Sequence, residues 1–119
     1  MNFKEETLKE ISESGHEEKD VLFIGSKDGK LRISIEKFKE ISDFDYDSGF
    51  GGQEIPQDLI VYFKDKSYLD RREYDGSEWW KYNELLDFSA GDEYKDFNKI
   101  GRSGDYLEEI NKNINQQIK

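Results

Sequence analysis

The run Asp58-Leu59-Ile60-Val61-Tyr62-Phe63 restricts the fold more than any other part of the chain. It is apolar at consecutive positions, so both faces call for cover, and a strand covered on both faces lies inside a sheet. Its surroundings read as antiparallel. Lys64-Asp65-Lys66 turns the chain into Ser67–Tyr74, and Asp75-Gly76 turns it again into Ser77–Tyr82, giving a three-stranded meander with two short turns. Upstream, the apolar run Val21–Gly25 is followed by Lys27-Asp28-Gly29-Lys30. Asp-Gly between apolar runs signals a hairpin, with Leu31–Ile33 as the return strand.

Helical signals flank these strands. Phe3–Glu13 is rich in helix formers, with Phe3, Leu8 and Ile11 along one side and Gly15 placed to end the helix in a left-handed cap. Ser34 is placed to cap a short helix that presents Ile35, Phe38 and Ile41 on one face. Asp43–Gln57 has no periodicity, contains Gly49, Gly51 and Gly52, ends near the only proline, Pro56, and reads as a loop. Leu85–Arg102 is interrupted by Gly91 and Gly101 and takes no single assignment. From Ser103, Leu107, Ile110, Ile114 and Ile118 recur at three- and four-residue steps, an amphipathic helix packed on the sheet or on a partner. The expectation is a single α+β domain over residues 1–119. Its small antiparallel sheet, an N-terminal hairpin plus the meander, is flanked by an N-terminal helix, a short helix and the C-terminal helix.

Charge decides which partners suit such a domain. The chain is 39% charged and only 34% hydrophobic, a balance that by itself suits disorder, but eight Phe, seven Tyr and two Trp supply the apolar surface of a packed core. A formal net charge of -10 repels nucleic acid and anionic membranes and favours basic surfaces, above all those built to hold phosphates. Solubility alone is the competing explanation. The absence of cysteine excludes disulfides, thiolate metal sites and thiol nucleophiles. With no apolar leader and no run of membrane-spanning length, a cytoplasmic protein is expected.

Few motifs carry chemistry. Asp43, Asp45, Asp47 and Glu54 stand at positions one, three, five and twelve of a twelve-residue window, the ligand spacing of a calcium-binding helix–loop–helix. Ser48 occupies the position of the turn glycine, however, and Pro56 and a strand follow where the exit helix belongs. The alternatives are a calcium-responsive module and a solvent-facing acidic loop. In the hairpin, one of Trp79 and Trp80 is expected in the core and the other on the opposite face, where exposed tryptophan is a common anchor, unless helices bury both. His16, the only histidine, lies in a polar stretch and reads as a surface residue. No phosphate-cradling glycine motif occurs, and neither a catalytic residue nor a cofactor is expected. Acids concentrate toward the C-terminus, with eight against three basic residues between Glu84 and Glu109, and four more at Asp70, Glu73, Asp75 and Glu78.

Two strings, Asp45-Tyr46-Asp47-Ser48-Gly49-Phe50-Gly51-Gly52-Gln53-Glu54-Ile55 and Arg72-Glu73-Tyr74-Asp75-Gly76-Ser77-Glu78-Trp79-Trp80, with Asp58-Leu59-Ile60-Val61 between them, resemble a group of small phage and mobile-element proteins of Firmicutes. The resemblance covers roughly Ile35 to Tyr82. It departs at Ser67-Tyr68-Leu69-Asp70, where a tryptophan-containing version is expected. It implies an anti-defence protein of the host bacterial cytoplasm, an anti-CRISPR inhibitor of a type II RNA-guided nuclease. Such a protein acts as a DNA mimic, its carboxylates pairing with lysines and arginines that otherwise hold phosphates. The residues expected to meet that basic groove are Asp43, Asp45, Asp47 and Glu54 in the loop, Asp70, Glu73, Asp75, Glu78 and Trp80 in the hairpin, and Asp92, Glu93 and Asp96 beyond it. A non-catalytic phage protein that self-associates through the C-terminal helix is the further alternative.

Overall fold

The computed structural model describes residues 1–47, 53–88, 93–101 and 103–117, the last five of these as main chain alone. The described residues build a five-stranded antiparallel sheet in the order β2-β1-β3-β4-β5. Here β1 is Val21–Ser26, β2 Arg32–Ile33, β3 Leu59–Phe63, β4 Tyr68–Tyr74 and β5 Ser77–Asn83. Three helices accompany them: α1 (Phe3–Glu13), α2 (Ile35–Ile41) and α3 (Leu107–Gln117). The α+β architecture read from the sequence is the one observed. The doubly apolar run takes the middle of the sheet and is buried throughout.

Local chemistry explains where the helices begin and end. Asn2 Oδ1 accepts from Glu5 N–H (3.0 Å), and Glu5 and Glu6 lie at the positive end of the α1 dipole. At the other end Gly15 adopts φ +85° and His16 N–H donates back to Ile11 C=O (3.1 Å), the six-to-one bond of a left-handed cap. Ser34 Oγ caps α2 by accepting from Lys37 N–H (3.1 Å).

The two faces of the sheet are covered unequally. On one, Ile24, Leu59, Val61, Phe63, Leu69 and Trp80 meet Phe3 and Ile11 of α1, Ile35 and Phe38 of α2, and Leu107 of α3. Phe3 is the hub of this layer, its ring 5.7–5.8 Å from those of Phe38, Phe44, Tyr46 and Trp80. On the other face a smaller cluster of Phe23, Ile60 and Tyr62 is covered by Tyr68, Leu86 and Phe88. The segment without a sequence assignment thus serves both layers, since Phe97 and Ile100 join the larger core.

Two differences from expectation have clear causes. The return strand starts at Arg32, not Leu31, because Ser26 Oγ takes the Leu31 N–H (3.0 Å) and Leu31 instead bridges to Lys95 in parallel. The C-terminal helix starts at Leu107, not Ser103, with Leu107 and Ile110 buried; Ile114 and Ile118 have side chains outside the described residues.

Gly25 sets the tightness of the first hairpin. A Cβ there would stand 1.8 Å from Leu31 O, so the backbones of β1 and the turn approach as only glycine allows. Gly25→Ala is expected to cost about 3 kcal/mol or more, as overpacking against main chain does, seen as a lowered urea midpoint with an unchanged denaturant slope.

Candidate functional site

Three clusters of charged side chains among the described residues do different work. The first is interior. Arg71 points from β4 into the larger core with its side chain wholly buried. Its guanidinium lies 3.5 Å from Glu6 and 3.6 Å from the equally buried Glu78, and Nη2 donates to Tyr46 Oη (3.1 Å). Its Cζ stands 4.8 Å from the Trp80 ring centroid and 5.3 Å from that of Phe3. Tyr46 Oη donates in turn to Glu6, and burial pushes its phenol well above the usual range. Glu78 accepts from Glu54 N–H (2.8 Å) and Ile55 N–H (3.1 Å), so one carboxylate holds both the arginine and the loop before β3.

The second place joins the end of α1 to the β3–β4 turn. His16 stacks on Phe63 with centroids 3.8 Å apart, its Nε2 lies 2.8 Å from Asp65 Oδ2 and 3.3 Å from Ser67 Oγ, and its Nδ1 is 3.1 Å from Ser14 Oγ. Serine, histidine and aspartate meet here without forming a nucleophile. Ser14 Oγ–H is spent on Ile11 C=O (2.7 Å), and Ser67 and Asp65 crowd the same ring nitrogen while bonding each other. Bonds from the Ser67 hydroxyl, from His16 and from Ser67 N–H pull Asp65 down to about 2. The expectation of a plain surface histidine is corrected: the side chain is 10% exposed and braces two elements.

The third place is a groove of about 810 Å³ between the first hairpin, residues 93–96 and α3. Lys95 lies along the hairpin, donating to Lys30 C=O (2.6 Å) and accepting from Arg32 N–H (2.7 Å). Asp58 Oδ1 caps α3 by accepting from Leu107 N–H (2.9 Å). Asn111 fastens residues 98–99 to α3 by accepting from Asn98 and Lys99 N–H and donating to Lys99 C=O. Asp28, Asp58, Glu93, Asp96 and Glu108 line the opening against Lys30, Lys95 and Lys112, with Tyr94 and Tyr106 more than half exposed. Burial raises Asp58, opposed by its bond from Leu107. Burial also disfavours the Asp28 anion, but bonds from Ser26 and Lys30 outweigh it and hold Asp28 below the usual range.

The expected partner residues do not converge on one face. Asp45, Asp47 and Glu54 gather near Met1, where Glu54 accepts from Asp47 N–H (2.7 Å), while Asp43 bonds Asn2 (2.9 Å) and Lys4 (3.4 Å). Among the described residues no three or more carboxylate or imidazole groups are grouped to hold a metal, and β3 follows where an exit helix would stand. Glu73 closes the β4–β5 turn by accepting from Gly76 N–H (3.0 Å), with Asp75 exposed beside it. Glu93 and Asp96 line the groove, Asp96 paired with Lys37; Asp92 lies outside the described residues. Three assignments are corrected. Asp70, Glu78 and Trp80 are each only 4% exposed: Asp70 lies under Lys27 and Arg72, Glu78 under the loop, and Trp80 against α1, its Nε1–H donating to Thr7 (2.9 Å). Trp79, on the opposite face, is the exposed one. Sequence pattern marks the Asp28-Gly29 turn but not Asp58, Tyr94, Tyr106 and Glu108, its neighbours across the groove.

No protein-family model, curated protein or solved structure matches the chain significantly.

Removing the arginine alone strands two carboxylates in the core, so Arg71→Met is expected to cost about 3–5 kcal/mol. Glu78→Gln, which keeps an acceptor for one of the Glu54 and Ile55 N–H groups and leaves Glu6 beside the arginine, should cost less; urea unfolding of both variants checks the order. Asp65 is ionised more readily in the folded chain than in the unfolded one. Its contribution is therefore complete above a pH of about 4 and fades as pH falls toward its folded value of about 2. Asp65→Asn should flatten stability across that window, read as the urea midpoint against pH.

Proposed function

We infer that this chain is a non-catalytic binding protein whose carboxylates engage a basic protein surface of the kind that holds nucleic acid. In the fuller reading it is an anti-defence protein of a mobile element that blocks a type II RNA-guided nuclease. The observation that carries the first part is the groove, where five carboxylates face three ammonium groups around an open concavity. Glu93 and Glu108 have no cation within ion-pair distance among the described residues, so their charge is available to a partner. A net charge of -10 orients such an encounter at long range. The nuclease as partner is supported by the resemblance of residues 35–82 to mobile-element proteins and by the fit of carboxylates to a phosphate-holding groove. The Asp45–Asp47–Glu54 cluster adds a second acidic surface near the chain start.

Affinity for the nuclease measured alone, with guide RNA and with guide plus target DNA tests this directly. Binding is expected to fall once nucleic acid fills the groove, and cleavage to fall as the protein is added. Glu93→Lys with Glu108→Lys should weaken binding about tenfold or more and reduce its salt dependence. Equal affinity in all three states, with cleavage intact, would reject the mimicry.

A further inference from the structure

The two edges of the sheet end differently. At β2 the chain itself adds a partner, through the bonds of Lys95 to Lys30 and Arg32. Among the described residues, no strand pairs with the outer side of β5. The Asp75-Gly76 turn has positive φ at both residues (52° and 86°), the two-residue turn that makes Tyr74–Ser77 a hydrogen-bonded pair. Bonding then recurs at every second pair, Arg72–Trp79, Asp70–Lys81 and Tyr68–Asn83. The main-chain groups of Glu78, Trp80 and Tyr82 therefore point away from β4, and no described residue bonds to them. The register runs without a bulge and β5 contains no proline, so the devices on this edge are one lysine and the inward-pointing Glu78. That lysine, Lys81, has no carboxylate within ion-pair distance among the described residues. Trp79 stands two residues away on the same face, 42% exposed.

We propose that β5 pairs antiparallel with β5 of a second copy of this chain about a two-fold axis at Trp80, joining the two sheets into one. The axis position follows from the bonding pattern. Centred there, Trp80 faces Trp80 of the partner subunit and Glu78 faces Tyr82 of the partner subunit. All the outward groups then meet one another in roughly six hydrogen bonds. In the intervening close pairs, Trp79 faces Lys81 of the partner subunit, and Lys81 faces Trp79 of the partner subunit. Each ammonium finds an indole where side chains approach most nearly. The unpaired lysine and the exposed tryptophan thus satisfy each other twice. A shift of two residues in either direction separates them and shortens the ladder. A second copy is favoured over an unrelated strand because the edge is complementary to itself in this one register.

Sedimentation equilibrium over roughly a hundredfold range of concentration, in enough salt to screen the charge of each copy, reads the association. A reversible dimer is expected, and Lys81→Glu should weaken it about tenfold or more by placing a carboxylate on the indole face. A second variant fixes the register. Ser77 and Asn83 face each other across the proposed axis, but within one chain they lie about 20 Å apart along the strand, too far for a disulfide. In a chain without native cysteine, Ser77→Cys with Asn83→Cys should give a covalent dimer on mild oxidation, with the far-UV circular dichroism of the parent. A monomer at every concentration would overturn the proposal. So would a dimer that survives Lys81→Glu and leaves the cysteines unlinked, which would assign association to another surface such as α3. Both measurements use the chain alone, so neither depends on a nuclease partner.

Discussion

Arg71 is the residue around which the distal half of this fold has to be assembled. A guanidinium without water is tolerated only where its charge is balanced and its planar faces are covered, and no single element here does both. Glu6 comes from α1, Tyr46 from the loop after α2, and Glu78 with Trp80 from β5. Glu78 further commits the chain before β3 through Glu54 and Ile55. The charge of Arg71 is therefore balanced only when all of these segments are in place, and its Nε and Nη1 still lack a hydrogen-bond partner among the described residues. Polar groups of this kind add less to stability than apolar packing would, but they penalise every arrangement that leaves one unpaired. Placing such a cluster beside the aromatic hub at Phe3 selects one docking of α1 over the sheet from the several that an apolar face alone would accept.

The second face of the sheet shows the opposite economy. Leu86 and Phe88 cover Phe23, Ile60 and Tyr62, but this cover does not extend to the outer half of the meander, where Arg72, Tyr74 and Trp79 remain exposed. The acidic groove and this aromatic strip occupy opposite margins of the sheet, the groove beside β2 and Trp79 on β5, about 19 Å apart across four strand spacings. The groove proposed to meet a basic partner and the edge proposed to pair with a second copy are therefore separate.

What could be read from sequence follows the range of the interaction responsible. Caps and turns act within a few residues, so Asn2, Ser34, Gly15 and Asp75-Gly76 announce their elements, and the doubly apolar run at Leu59–Phe63 announces the centre of the sheet. The hairpin acids were misplaced because alternation assigns faces only when the inward residues are apolar. Along Asp70-Arg71-Arg72-Glu73 both faces are charged, and burial is decided by partners forty or more residues away in one case, since Glu6 lies far upstream of Arg71. His16 is a similar case. Its neighbours Gly15, Glu17 and Glu18 are polar, and the ring is buried by Phe63, which the sequence gives no reason to place beside it. The groove depends on residues 93–96 running beside the first hairpin, a pairing of main-chain groups that leaves no mark on side-chain pattern.

The same reasoning limits how a net charge should be converted into a surface. Glu6, Asp70 and Glu78 are withdrawn into the protein, and Asp43, Asp96, Glu17, Glu18 and Asp87 are matched by nearby lysines. Pairs of this kind on the surface contribute little to stability, yet they remove local field. What is left for a partner is narrower than the composition implies, and it is concentrated where acids stand close together without a cation at ion-pair distance. At the groove, burial raises Asp58, and the nearby Asp28 and Glu108 carboxylates add to that shift. Where such local imbalance falls is determined by the fold and not by the composition.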